Sequence, residues 1–141
     1  SGVGAKNPVY LIIPNKKAIT MNDEQNIQQT IQMYFDAMYE SDREKTLAVF
    51  HPAAKITGYM GKNLVQQDVE SFAEFVGTQQ PSAKAQNLPI RLETVSIEVA
   101  GATAVARVRD DYIGKTFLDT LSFLKIDDNW IIYNKLFHIE A

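Results

Sequence analysis

The stretch Lys115–Glu140, KTFLDTLSFLKIDDNWIIYNKLFHIE, decides the fold. Its two halves alternate side chains in the period of a β-strand, and Asp127-Asp128-Asn129 between them carries turn chemistry. It therefore predicts two long antiparallel strands, each with apolar residues on both faces. Such a sheet needs a cover on one side and a partner on the other.

Upstream, Ile90–Val99 and Ala102–Ile113 continue the same alternation, with tight turns at Ala100-Gly101 and Gly114-Lys115. Before them the period changes. Ile27, Ile31, Tyr34, Phe35 and Met38 fall on one face of a helix over Asn22–Tyr39, capped by Asn22 or Asp23. Ser41-Asp42-Arg43-Glu44 reads as a capping box with Ser41 as the cap, opening a short helix that ends at Phe50 before His51-Pro52. Lys55–Met60, loosened by Gly58 and Gly61, reads as a short edge strand. Val65, Val69, Phe72, Phe75 and Val76 predict a third helix over Leu64–Val76, with Gly77 as its C-cap. Thr78–Pro89 is a polar loop bounded by proline. Helices first and a meander afterwards make an α+β domain: a curved antiparallel sheet with three N-terminal helices on its concave face.

Composition sets limits on function. The chain has 141 residues, 45% of them hydrophobic, enough for one domain with a substantial core. Its 14 basic and 17 acidic residues are scattered, so no basic surface invites nucleic acid. Without cysteine there are no disulfides, zinc-thiolate sites or thiol catalysis, and a cytoplasmic setting fits that usage. No apolar run approaches the ~20 residues of a membrane helix. Residues 1–20 lack helical period, start without Met and precede Met21-Asn22-Asp23-Glu24, which reads as a natural beginning. Residues 1–21 are set apart as an extension and 22–141 as the domain. Within the extension Pro8–Ile13 is strand-like, suited to a sheet edge or a neighbouring chain.

Three pieces carry a resemblance: YFDAMYESD at the end of the first helix, FHPAAKITG after the second, and FLDTLSFLKIDDNWIIYNKLFH at the end. In that order and spacing the chain resembles the NTF2-like superfamily (the cystatin-like α+β cone). It is most similar to the group named "Putative lumazine-binding", alongside the SnoaL-like cyclases. The resemblance implies a conical pocket between the first helix and the sheet, and dimers through the opposite sheet face. The superfamily's functions run from isomerases and dehydratases to transport adaptors, so the fold does not choose among them. Ketosteroid isomerase resembles the chain loosely. Its pocket tyrosine matches Tyr34, but its general base falls at Gly58 and its protonated aspartic acid at Leu121. That isomerase chemistry is not available here.

Turn counting brings a candidate site together. A turn at Gly114-Lys115 sets Asp110 opposite Asp119, Val108 opposite Leu121 and Ala106 opposite Phe123. A three-residue turn at Asp127–Asn129 sets Leu121 opposite Lys135 and Phe123 opposite Tyr133. Parity then gathers Asp110, Asp119 and Lys135 with Leu121, Phe123, Tyr133 and Phe137. With Tyr34, Met38, Tyr59 and Phe72 from the preceding elements, these form the candidate ligand set. Asp119 and Tyr34 are its candidate proton acceptor and donor. Two readings stay open: a structural Asp119–Lys135 ion pair, or a ligand-binding and proton-transferring group. Tyr34 is likewise a core phenol tied to backbone or a pocket hydroxyl.

Other motifs carry less. Gly114-Lys115-Thr116 mimics the end of a phosphate-binding loop, but it lies in a hairpin with no helix after it. His51 and His138 lack metal-ligand spacing, so neither a metal nor a cofactor is expected. The opposite parity set, Val105, Leu118, Leu124, Trp130, Ile132 and Leu136 among small polar residues, predicts a homodimer through the convex face.

Overall fold

In this computed structural model, residues 9–11 and 19–141 are described. Two short strands, β1 (Val9–Leu11) and β2 (Ile19–Met21), pair antiparallel with each other. The strand expected in the extension thus finds its partner within the same chain; Pro8, Ile12 and Ile13 of that expectation lie outside the described residues.

Helix α1 (Asp23–Tyr39) begins where the sequence places it. Asn22 accepts from the Gln25 backbone N–H at 2.8 Å while the Gln25 side chain accepts from the Asn22 N–H at 2.9 Å, a reciprocal cap. Helix α2 (Arg43–Val49) is capped by Asp42, which accepts from the Lys45 N–H. Ser41 is not the cap: it stands one residue earlier at positive φ, in the turn out of α1.

The segment after α2 differs most from expectation. Strand β3 (Phe50–Met60) is long and interior; β4 (Asn63–Asp68) forms the edge, and only then does α3 (Val69–Thr78) begin, capped by Asp68. Leu64 and Val65 belong to an edge strand that turns back at Gly61, φ +64°. A stripe of apolar residues spanning a strand–helix junction had read as one helix. Strands β5 (Leu92–Ala100), β6 (Thr103–Tyr112), β7 (Lys115–Ile126) and β8 (Asn129–Ile139) complete a sheet of order β4-β3-β8-β7-β6-β5. It is mixed rather than antiparallel throughout, because β3 runs parallel to β8. That pairing is interrupted between Phe50 and Lys55, where Pro52 has no N–H to give.

Two register corrections matter for the site. The β6–β7 turn consists of Ile113 and Gly114, so Asp110 faces Phe117, Val108 faces Asp119, Ala106 faces Leu121 and Ala104 faces Phe123. The expected register is off by two residues, an even slip that leaves every side chain on its face. The β7–β8 turn is Asp127 and Asp128 alone, both at positive φ. Leu121 still faces Lys135, because a bulge at Tyr133 absorbs the difference, and Phe123 faces Ile132. An odd slip flips side chains. Trp130 and Ile132 therefore leave the convex set and are buried under α1. The Trp130 indole donates to Asp23 at 3.2 Å and its backbone carbonyl accepts from Thr30 Oγ1 at 2.9 Å.

The core lies between the three helices and the sheet face they cover, with Ile31, Phe35, Phe50, Val76, Leu121 and Ile132 among its buried members. The loop after α3 is fastened to the end of α1: Lys84 N–H donates to the Tyr39 carbonyl at 2.9 Å, and the Tyr39 hydroxyl donates to that of Leu88 at 3.1 Å. No helix among the described residues is long and apolar enough to cross a membrane.

Candidate functional site

Four polar side chains meet inside this core: Tyr34 from α1, Asp110 from β6, Asp119 from β7 and Lys135 from β8. All four are buried, Asp119 and Tyr34 completely. Inward parity on three neighbouring strands brings the charged three together, and the buried stripe of α1 brings the phenol. The Tyr34 hydroxyl donates to Asp119 Oδ2 at 2.7 Å, so neither of its expected partners, backbone or ligand, is the one it has. Lys135 Nζ stands 3.9 Å from the same oxygen and lies over the rings of Phe72 (4.5 Å) and Tyr34 (5.1 Å). A desolvated ammonium gains from those ring faces what water would otherwise give it.

The remaining oxygens set the protonation. Asp110 Oδ1 and Asp119 Oδ1 are both buried with no donor as bare carboxylates. The two carboxyls bear on each other by charge and by hydrogen bonding. Burial, then the neighbouring Asp119 charge and that hydrogen bond, push the Asp110 carboxyl well above the usual carboxylate range, against the pull of Lys135. Burial and the charges of the same two carboxyls also hold the Tyr34 phenol well above its ordinary value, so it keeps its proton.

Asp110 and Lys135 line a cavity of about 230 Å³ that Tyr34 does not border. Its walls come from β3 and β4 (Ile56, Met60, Val65, Gln67), α3 (Phe72, Phe75), the β6–β7 hairpin (Tyr112, Ile113, Phe117) and Phe137 of β8. Phe117 and Phe137 meet edge to face, centroids 5.8 Å apart. Burial pushes the Tyr112 phenol at the rim up to about 12. The cavity is apolar but for Asp110, Lys135, Gln67 and Tyr112.

The expected residues divide accordingly. Asp110, Lys135, Phe72 and Phe137 line the cavity; Tyr34 and Asp119 lie one layer behind, touching the groups that do. Met38 and Leu121 are sealed in the core. Tyr59 points to solvent at 61% exposure. Tyr133, displaced by the bulge, lies against His51 with ring centroids 5.1 Å apart. His51 itself accepts from the Ala53 N–H at 2.9 Å. Sequence reasoning missed Ile56, Met60, Val65, Gln67, Phe75, Tyr112, Ile113 and Phe117. Val65 and Gln67 were hidden by reading β4 as helix, and Ile56 by reading its strand as an edge.

A family model described as "Putative lumazine-binding" matches residues 22–138. Among solved structures, the chain is similar to an NTF2-like protein of unknown function from Methylobacillus flagellatus KT: TM-score 0.76, 26% identity, 87% of this chain and 96% of that one. A second, from Silicibacter pomeroyi DSS-3, gives TM-score 0.75 at 22% identity, covering 85% and 100%. Among curated proteins the chain is similar to the aldolase FrzH of Cladobotryum sp., 23% identical over 122 residues, 86% of this chain and 95% of that protein. These likenesses agree with the element order in giving the NTF2-like α+β cone.

Proposed function

This chain belongs to the family described as "Putative lumazine-binding", and from that premise we propose that it binds a compact, largely apolar molecule bearing one anionic or carbonyl group. The observation that carries this reading is the floor of the cavity. The Asp110 carboxyl and the Lys135 ammonium both line it, among walls that are mostly apolar and aromatic. Burying such groups is costly, and a ligand oxygen would take the Asp110 proton and the Lys135 charge together. At about 230 Å³ the cavity is smaller than the roughly 300–1,000 Å³ of drug-sized pockets, which favours ligands of one or two rings.

Thermal denaturation with lumazine and with naphthalene-2-carboxylate tests it. A ligand at about 100 times its Kd stabilises the native state by about 2.7 kcal/mol, so the melting temperature should rise by several degrees. Val65→Trp, which fills the cavity from the β4 wall, should abolish the rise. A rise that survives that substitution would place the ligand elsewhere; no rise with either compound removes the support for binding.

A second reading has its own observation. Asp110 holds a transferable proton at the cavity surface, backed by Asp119, Tyr34 and Lys135, which suits general acid–base chemistry next to a carbonyl. The aldolase relative is in keeping with it. In D2O, α-proton exchange of the bicyclic ketone 2-tetralone, followed by NMR, should exceed the buffer rate and return to it in Asp110→Asn. Exchange no faster than buffer in the wild type would withdraw this reading. A twofold contact through the uncovered sheet face is also proposed, supported by Leu136 (57% exposed) and Val105 among uncharged Thr120, Ser122 and Asn134.

A further inference from the structure

Two hairpin turns in the sheet share one geometry and differ in sequence. Asp127 and Asp128 join β7 to β8 with φ of 50° and 65°; Ile113 and Gly114 join β6 to β7 with φ of 48° and 76°. Two-residue turns of this kind need positive φ at both positions, which suits Asn, Asp and Gly. Aspartate accepts it because its short side chain bonds to nearby backbone. Isoleucine does not, since a β-branched side chain collides with its own backbone there. The strain at Ile113 is not offset by core burial, for the residue is 37% exposed. Strain of this kind, held where packing does not require it, points to use of the side chain itself.

Its position shows the use. Ile113 lines the inner cavity with Asp110, Lys135 and Phe137, and it also lines a larger open groove of about 670 Å³. That groove lies between the hairpin and the loop after α3, among Ser41, Thr78, Gln80, Gln86 and Thr116. Besides Ile113 only Tyr112 borders both spaces. The two side chains therefore form the boundary between an apolar cavity and a larger, more polar groove.

We propose that Ile113 is a specificity-determining residue: a strained plug that closes the inner cavity against the outer groove and so limits the length of the ligand. This rests on the binding reading above and adds to it which molecules are refused. With the plug in place, a ligand anchored at Asp110 and Lys135 that runs toward the groove ends at the hairpin. With a small polar residue there, the chamber opens into the groove and an extended ligand runs through.

The test is calorimetric titration of the wild type, Ile113→Asn and Ile113→Val with n-alkanoates from hexanoate to dodecanoate, plus naphthalene-2-carboxylate. Asn-Gly is the preferred pair for this turn, so Ile113→Asn should melt no lower than the wild type. In the wild type and in Ile113→Val, affinity should rise with chain length and then stop once the chamber is full. In Ile113→Asn it should keep rising for at least two further methylenes, worth about tenfold in Kd for the longest acid. If Ile113→Asn binds the acids with the same stopping length, the plug is overturned while the binding reading stands. A melting temperature several degrees lower in Ile113→Asn, with the stopping length unchanged, would assign the isoleucine to the fold instead. If neither the wild type nor Ile113→Asn binds any of these compounds, the binding reading fails and takes the plug with it.

Discussion

Asp110 keeps its proton in the folded chain and loses it near 3.8 when unfolded, so the native state binds more protons than the denatured one above that pH. The sign follows directly: this residue's contribution to stability is fully present below 3.8 and declines as pH rises toward its raised folded value. Asp110→Asn, which keeps a donor toward Asp119 and cannot ionise, should flatten that decline. Melting curves from pH 4 to pH 8 check it; the variant's melting temperature should gain on the wild type as pH rises, and parallel curves would mean that Asp110 ionises normally. Lys135 poses the opposite case. If Asp119 and Lys135 are a structural ion pair, Lys135→Met leaves the buried Asp119 without its ammonium partner, and breaking such a pair costs about 3–5 kcal/mol. Urea unfolding measures that loss. If the group is functional instead, Asp119→Asn should keep the fold nearly as stable yet lose binding or exchange.

Among the elements, β3 decides whether the site has a back wall. Gly58 pairs with Phe137 on the parallel strand, and a Cβ built there would lie 2.5 Å from both the Phe137 carbonyl oxygen and its ring. The backbone oxygen has no room to yield. Gly58→Ala should therefore cost about 1–3 kcal/mol, as overpacking does, and should disturb the Phe137 wall of the cavity. Denaturation together with near-ultraviolet circular dichroism of the Phe117–Phe137 pair would register both effects; an alanine variant as stable as the wild type would show that β3 and β8 are free to part. The Tyr133 bulge acts at the same scale. It lets Lys135 point at Asp119 while Ile132 and Trp130 pack beneath α1, two demands that a regular strand could not meet at once.

Among the described residues, helices cover one face of the sheet and no helix covers the other. The proposed twofold contact on that second face is tested by Leu136→Asp alone. Ile132 is unsuited to such a test, because it is fully buried and aspartate there would unfold the chain. Leu136→Asp should leave the thermal transition nearly unchanged and convert dimers to monomers in light scattering at high micromolar concentration. A wild type that is already monomeric under those conditions would remove the proposal.

The sequence by itself determined the period of each strand of the meander, the helix of Asp23–Tyr39, and the face on which Asp110, Asp119 and Lys135 fall. Those are local properties: alternation, caps and turn residues act within a few positions, and an even slip in register leaves parity intact. It did not determine that β3 runs beside β8, that residues 63–68 form a strand, or that Tyr133 bulges out. A parallel pairing across some eighty positions has no turn to announce it. That Asp110 rather than Asp119 lines the cavity has the same origin. Both carboxyls lie on the inward face, but which one reaches the cavity depends on which neighbouring strands and helix close over each, and only the folded sheet decides that.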